Sequence, residues 1–593
     1  MTPETLNDIF FGATARFADR AVAMRFKRDG AWHDVSMATF RSRVQRVHAA
    51  LRGAGLTAGD RVAILSENRP EWAIVDFACL TARLIDVPVY PTLTAHQIAY
   101  ILRDAGARAV FVSSQSLLDS VLEVKGEVPD LELVVALDGR ADGVLSMSQF
   151  EDQGASANHR YTDWEDLAHT AGPDDVATLI YTSGTTGDPK GVMLTHGNIT
   201  SNVVAALQVL DLNDTDECLS FLPLSHIFER MVGHYTMLQA GVVIWYSSGM
   251  ESLGAEMLEC RPTMMAAVPR LYEKIYARVV EQSLRHGGIK RAIFEWARAT
   301  GDKYLDYRLA RRSVPTGLSM AMKVADRLVF QKIRAVAGGR LRYFVSGGAP
   351  LNPEICRFFI AAGLPILEGY GLTETSPVIT VNTFALLKPG TVGPPIPGVE
   401  VMIASDGEIL TRGPHIMKGY YNRPDATAEV LDADGWFHTG DIGLIDGDGC
   451  LRITDRKKDL IVTAGGKNIA PQPIEAMLKT NRFFVNAVML GDRKAFPVML
   501  LVPNFATLSA WLDQHGLSGL PPADAVKHPQ VLDKLEREAR SSLRDLAQFE
   551  TPKKFLILAD DFTIESGELT PKMSIRRKVV LERHADAIAE LYA

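Results

Sequence analysis

Cysteine is scarce in this chain, with five in 593 residues. They stand at Cys79, Cys218, Cys260, Cys356 and Cys450, with no Cys-x-x-Cys spacing. An odd, scattered set excludes a disulfide framework and a cysteine-built zinc site, and it predicts a reducing compartment. Long apolar runs are lacking too: none reaches the ~18 residues that a helix needs to cross a membrane. The first residues mix Glu4, Asp8, Arg16, Asp19 and Arg20 with short apolar groups, which predicts no secretory signal. Overall positive charge is missing as well. The formal net charge is −8, and nothing in it points to a nucleic-acid partner. What is left is the expectation of a cytoplasmic enzyme.

A chain of 593 residues outgrows a single core and should divide into two or more domains. Its first part alternates helical and strand patterns. Phe40, Val44, Val47 and Leu51 fall at helical spacing ahead of an apolar run at 61–65. Ile98, Ile101 and Leu102 form the next stripe, before a strand pattern at 109–112. The rhythm predicts layered α/β architecture. After residue 342 it resumes with a strand at 343–345, a small-residue loop and a helix from Pro353. Around residue 400 it gives way to short strands and Gly/Asp turns such as Asp446-Gly-Asp-Gly449. A boundary near Asp455 to Lys458 is expected, with domains 1–457 and 458–593. The fold expected is a large multi-subdomain α/β domain followed by a small, mobile α+β domain.

Charge is unevenly spread. Between Arg261 and Arg342 there are eighteen Lys and Arg against six Asp and Glu. Tyr276, Phe294, Trp296, Tyr304, Leu305 and Phe330 are interspersed with them. One reading is a peripheral surface meeting anionic lipid or a phosphate-bearing ligand. The other is a set of solvated helix faces.

The chain is organised around Thr178-Leu-Ile-Tyr-Thr-Ser-Gly-Thr-Thr-Gly-Asp-Pro-Lys-Gly-Val192. An apolar run empties into a loop carrying Thr182, Ser183, Gly184, Thr185, Thr186 and Gly187, then Lys190. Glycines let several N–H groups converge on one anion, hydroxyls add donors, and lysine adds a compact positive charge. This is the chemistry of a polyphosphate cradle. It is not a Walker loop: Lys190 lies between Pro189 and Gly191, with no adjacent Ser or Thr to hold Mg²⁺.

Three further stretches extend the pattern. Ser346-Gly347-Gly348-Ala349-Pro350 follows a strand with side-chain-poor backbone that a flat ligand can approach. Leu367-Glu368-Gly369-Tyr370-Gly371-Leu372-Thr373-Glu374 then supplies an aromatic face for a base, a hydroxyl for a phosphate and a carboxylate oxygen for Mg²⁺. Asp441, in His438-Thr-Gly-Asp-Ile-Gly443, suits the two hydroxyls of a ribose, and Arg456 stands within reach of the same nucleotide. Beyond the expected boundary, Thr463-Ala-Gly465-Gly466-Lys467 is another glycine loop.

Together, in order and spacing, these motifs resemble those of the adenylate-forming superfamily of acyl-CoA synthetases, luciferases and peptide-synthetase adenylation domains. Leu222-Pro-Leu-Ser-His-Ile-Phe-Glu-Arg230 and Ala267-Val-Pro-Arg270 are most similar to the long-chain fatty acyl-CoA synthetases. The resemblance implies a ligase using ATP, Mg²⁺ and CoA. Fatty acid and ATP would give acyl-AMP and pyrophosphate, and CoA would then give acyl-CoA and AMP. It also implies roles. The 182–190 loop would hold the β,γ-phosphates. Gly347 to Pro350 and the Glu368–Gly371 stretch with Tyr370 would hold the adenine. Thr373 would meet the α-phosphate, Glu374 the Mg²⁺, and Asp441 and Arg456 the ribose. His226 would stand beside the carboxylate pocket, Lys458 at the hinge, and Gly465, Gly466 and Lys467 along the pantetheine channel. The resemblance makes a homodimer an expectation, and the basic 261–342 segment is read for peripheral contact with the inner face of a membrane. Two alternatives stay open: an acyl-AMP ligase that loads a carrier protein, and activation of another carboxylic acid.

One position departs from the pattern. The lysine that assists adenylation in the superfamily aligns with Ser574, in Leu569-Thr-Pro-Lys-Met-Ser-Ile-Arg-Arg-Lys578. Lys572 lies two residues earlier, on the same face of an extended segment. It is expected to take that role.

Overall fold

The computed structural model describes residues 2–182, 188–285, 288–464, 467–544, 546–563, 566–569 and 575–592. The expected elements form where the pattern put them. Phe40, Val44, Val47 and Leu51 are fully buried along helix Met37–Gly53, which Ser36 caps by accepting from the Thr39 amide at 3.1 Å. The strand at 61–65 is Arg61–Leu65. Ile98, Ile101 and Leu102 line the buried side of helix Ala95–Ala105, which opens with a Thr94/Gln97 capping box and closes on the left-handed Gly106. Asn352 caps helix Pro353–Ala361 through the Glu354 amide at 2.8 Å.

The chain divides into two compact units, one of residues 1–401 and 411–438 and the other of residues 402–410 and 439–593. The first unit holds two eight-stranded sheets. In one, strands Leu145–Ser146, Leu133–Ala136, Ala107–Val112, Arg61–Leu65, Ile85–Val89 and Val176–Thr182 run parallel. Lys190–Thr195 and Gly419–Tyr420 then add on antiparallel. The interior strands are almost uninterrupted apolar runs, as strands covered on both faces require. The other sheet runs Ala31–Val35, Met24–Arg28, Val243–Tyr246, Glu217–Ser220, Met264–Ala267, Tyr343–Ser346, Ile366–Gly371 and Val378–Val381. Its outer face is covered by helices Pro269–Arg285, Gly288–Leu309, Thr316–Ala325 and Pro353–Ala361.

Those helices correct one expectation. Phe294, Leu305 and Phe330 were placed with the charges of the basic segment, but all three are buried. They fall on the helix faces turned to the sheet. Trp296, at 41% exposure, stays outward.

The second unit holds most of a four-stranded sheet ordered Glu400–Ile403, Glu408–Arg412, Phe437–Ile445 and Leu451–Arg456. A small pair, Ile461–Val462 with Asn468–Ile469, follows. A three-stranded sheet of Phe484–Leu490, Val498–Pro503 and Lys554–Ile557 then packs on helices Pro471–Lys479, Phe505–Gln514 and Pro529–Ser542. Among the described residues no helix is long and apolar enough to cross a membrane.

Candidate active site

The cradle stretch is flanked by two paired strands. Strand Val176–Thr182 pairs antiparallel with Lys190–Thr195, so that Thr182 stands opposite Lys190 and Tyr181 opposite Gly191. Ser183, Gly184, Thr185, Thr186 and Gly187 lie outside the described residues. The base of the hairpin is pinned from two sides. The Tyr181 hydroxyl donates to Asp104 at 2.7 Å, and Asp104 also accepts from Arg423 at 3.0 Å. The Tyr100 hydroxyl donates to the Pro189 carbonyl at 3.1 Å. Lys190 is thereby held at a strand end.

A residue that sequence reading missed joins this loop to the next. Tyr420 stands across from Val192 on the neighbouring strand, and the Lys190 Nζ lies 4.9 Å from its ring centroid. The Tyr420 hydroxyl donates to Glu374 Oε1 at 2.8 Å. Burial, and then the Glu374 charge beside it, hold this phenol above its ordinary range, so it remains a donor. Glu374 sits in the 3₁₀ turn Thr373–Thr375, and its backbone carbonyl accepts from the Met417 amide at 2.8 Å. The turn is made rigid by Thr375, whose hydroxyl accepts from the Leu372 amide at 2.8 Å and donates to the Pro377 carbonyl at 2.6 Å. Gly371 is required here: a Cβ would fall 1.6 Å from the Pro377 oxygen. Thr373 is buried beside it.

The Gly347–Pro350 loop leaves the carboxyl end of strand Tyr343–Ser346, whereas Glu368–Gly371 form the carboxyl end of the adjacent parallel strand Ile366–Gly371 itself. Ligands of open α/β sheets bind at such ends. Gly347 packs against Phe228, where a Cβ would meet the ring at 3.1 Å. Ala349 and Pro350 follow in the exposed turn. Tyr370 pairs with Thr380 across the strand Val378–Val381, and Gly369 with Val381. Glu368 is buried, and burial pushes its carboxyl up to about 8 against bonds from Cys356 and the Gly390 backbone.

His226 precedes a π turn, Glu229–Tyr235. Its Nδ1 accepts from the Phe228 amide at 3.1 Å, so the neutral ring carries its hydrogen on Nε2. The same turn holds a fully buried cation that the sequence motif contained but did not explain. Arg230 bonds to Asp76 and Asp86, to the Thr178 hydroxyl at 2.9 Å and to the Tyr235 hydroxyl at 2.8 Å. Thr178 belongs to the strand that runs into the cradle loop. The guanidinium thus ties the His226 segment to that strand from inside the core.

In the second unit, Asp441 and Arg456 are direct cross-strand partners, with Arg456 Nε 3.3 Å from Asp441 Oδ1. Asp441 is buried and Arg456 over half exposed. Lys458 stands exposed in the turn after strand Leu451–Arg456, while Lys457 is tied to Asp406 at 2.7 Å and Glu408 at 2.8 Å. Asp455, buried beneath the same turn, is pushed up to about 6 by burial against bonds from the Arg456 and Gln472 amides. The Lys467 amide donates to Thr463 Oγ1 at 3.2 Å, and its carbonyl accepts from the Thr463 amide at 3.0 Å. Gly465, Gly466, Lys572 and Ser574 lie outside the described residues.

A hairpin strand opening at Lys190, a carboxylate turn and glycine-rich stretches at a sheet end lie in the first unit, and a cross-strand Asp–Arg pair lies in the second. Known proteins carry the same plan. Residues 10–421 match the model of the AMP-binding enzymes, and residues 458–593 match that of the AMP-binding enzyme C-terminal domain. A long-chain-fatty-acid–CoA ligase of Mycobacterium bovis, FadD15, is 38% identical over 95% of this chain and 93% of its own. The peroxisomal long chain acyl-CoA synthetase 6 of Arabidopsis thaliana is 34% identical over 99% of this chain and 86% of its own. The fold is that of ATP-bound MatB from Rhodopseudomonas palustris, at a TM-score of 0.72 and 24% identity over 98% of this chain and 99% of that one. With both parts of the plan matched, and relatives that run nearly end to end with it, the chain belongs to the family of AMP-binding enzymes.

Proposed function

We propose that this enzyme is an AMP-forming long-chain fatty acid–CoA ligase. The Lys190–Tyr420–Glu374 line carries the chemistry of the proposal. Fatty acid and CoA as substrates are carried by the relatives, which are ligases and synthetases of that kind.

A carboxylate is a poor acyl donor. Its attack on the α-phosphorus of ATP makes a mixed anhydride with AMP and expels pyrophosphate. Negative charge builds on the reacting and departing oxygens, and preorganised cations and donors stabilise it. Lys190, steadied over the Tyr420 ring, is proposed to clamp the departing pyrophosphate together with the hydroxyls and amides of 182–187. Thr373 would donate to the α-phosphate, and Gly347 to Pro350, Glu368 to Gly371 and Tyr370 would hold the adenine. His226 would present its Nε2 hydrogen near the fatty carboxylate.

Glu374 fits Mg²⁺. It is a hard oxygen donor whose Oε1 is oriented by Tyr420, while its Oε2 takes no partner among the described residues. A bound Mg²⁺ would neutralise phosphate charge there, with Glu374 as its protein ligand.

Asp441 and Arg456 are proposed for the ribose. In the second step the CoA thiol attacks the acyl carbonyl and AMP leaves. Gly465, Gly466 and Lys467 would line the pantetheine path, and the parts 1–457 and 458–593 would rearrange about Lys458. Lys572 is proposed to assist adenylation in place of Ser574. A homodimer, and peripheral contact of segment 261–342 with a membrane, belong to the same reading.

The test is pyrophosphate release against carboxylic acids of graded chain length, with and without CoA. Release greatest with long-chain acids, and thioester appearing only with CoA, is expected. Release confined to short or aromatic acids, or acyl transfer to a carrier protein and not to CoA, would reject the proposal.

A further inference from the structure

Between residues 307 and 342 the chain holds nine Lys and Arg and one acid, Asp326. That acid is taken by Arg334, at 2.7 Å. Arg340 and Arg342 are also paired, with Glu217 and with Asp211 and Asp216. The other six, Arg308, Arg311, Arg312, Lys323, Arg327 and Lys332, are exposed and make no ion pair among the described residues. In a chain of net charge −8, whose surface arginines elsewhere commonly find acids (Arg25 with Asp34, Arg52 with Asp163, Arg108 with Asp60), this is an uncompensated cluster.

Three of those cations lie on a rod built from helix Thr316–Ala325, the π turn Asp326–Phe330 and helix Gln331–Val336. One side of the rod is core: Ala325, Phe330 and Ile333 are buried against the strand layer. The opposite side should then be polar throughout, but exposed apolar residues stand on it among the cations. Met320 is 65% exposed, Val324 50%, Leu328 43% and Val336 43%. They recur at every fourth residue, with exposed Lys332 in the remaining place. In an α-helix such a stripe drifts by about 40° per step. The π turn accommodates an extra residue and takes drift back, keeping the stripe on one side. Lys323 and Arg327 each stand one residue before an apolar member of it.

We propose that this face of the rod, Met320, Val324, Leu328 and Val336 with Lys323, Arg327 and Lys332, lies in the headgroup layer of an anionic phospholipid bilayer. The deduction deepens the peripheral-contact reading of segment 261–342 and rests on it. Interleaved apolar and cationic side chains match a surface that offers acyl chains and phosphates at the same depth, over the ~30 Å that 21 residues of helix span. A nucleic acid would use the charges and leave the stripe in water. An acidic protein is the competing occupant.

The experiment is vesicle flotation of the full chain with phosphatidylcholine alone and with added phosphatidylglycerol. Comparison is made with K323E/R327E/K332E, with M320S/V324S/L328S, and with a control K290E/R291E elsewhere in the segment. Wild type is expected to float with anionic vesicles only and to be released by salt. Charge reversal should lower partition by at least about a hundredfold, at roughly a factor of five or more for each cation removed. The serine variant should bind more weakly and shed the remainder at lower salt. The control should bind as wild type, and all variants should keep ligase activity on dispersed fatty acid. If wild type binds anionic vesicles but the rod variants bind equally and the control does not, the segment contacts lipid through another face and this proposal fails alone. If wild type binds no vesicles, both fail and an acidic protein takes the place of lipid.

Discussion

The Tyr420 hydroxyl donates to Glu374 Oε1 at 2.8 Å, from a strand whose neighbour carries Lys190 two residues before the pairing point at Val192. One phenol therefore orients the carboxylate proposed for Mg²⁺ and steadies the cation proposed for pyrophosphate.

Tyr420→Phe keeps the ring under Lys190 and removes only the donor. A hydrogen bond to a charged group is worth about 1.5–3 kcal/mol, so pyrophosphate release should fall by roughly ten- to a hundredfold. More Mg²⁺ should be needed for half-maximal rate. Titrating Mg²⁺ in a fatty acid-dependent pyrophosphate assay measures both, and an unchanged Mg²⁺ dependence would separate Tyr420 from Glu374's proposed task.

Asp441 and Arg456 offer a contrast between binding and stability. Arg456 is more than half exposed, so breaking the pair in Asp441→Asn should change unfolding free energy by less than about 1 kcal/mol. The KM for ATP should nevertheless rise by about tenfold or more, the worth of one charged hydrogen bond. Urea unfolding and ATP saturation curves on the same preparation test the split. A large stability loss with unchanged KM would make the pair structural.

Glu229 lies fully buried in the π turn, and burial pushes its carboxyl up to about 8 from an ordinary 4.5. Between those values the folded chain keeps a proton that the unfolded chain releases. Its contribution to stability therefore declines as pH rises through that window, by about 1.4 kcal/mol per pH unit, and levels off above it. Glu229→Gln removes the slope. Unfolding midpoints from pH 5 to pH 8 should diverge in the variant's favour, and parallel profiles would contradict the protonated state.

Lys572→Ala should slow acyl-adenylate formation by roughly 10²–10³-fold, as expected for loss of one transition-state charge partner. Thioester formation from supplied acyl-adenylate should hold. Full adenylation in Lys572→Ala would move the role elsewhere, and the same assay on Ser574→Ala would show whether the aligned position matters.

Much of this was legible from the chain. The stripe Phe40, Val44, Val47, Leu51 and the run at 61–65 specify burial and period by themselves. Asp441 and Arg456 were assigned to one nucleotide, and they prove to be direct partners because strands Phe437–Ile445 and Leu451–Arg456 pair in register. Tyr420 was not legible. Its link to Glu374 spans 46 residues and exists only through the register of a two-residue strand. Arg230 was read as part of a motif, with no sign that Asp76 and Asp86 would neutralise it in the core. The aromatics of the basic segment were misplaced for a related reason. A helix with apolar residues on two sides does not declare which side the sheet will cover. Phe330 went inward and Leu328 outward.

The central claim is tested most directly by the products. Incubation with a long-chain fatty acid, ATP, Mg²⁺ and CoA should yield AMP, pyrophosphate and acyl-CoA in equal amounts by chromatography, with no ADP. ADP or inorganic phosphate as the primary product, or AMP and pyrophosphate without a CoA thioester, would contradict it.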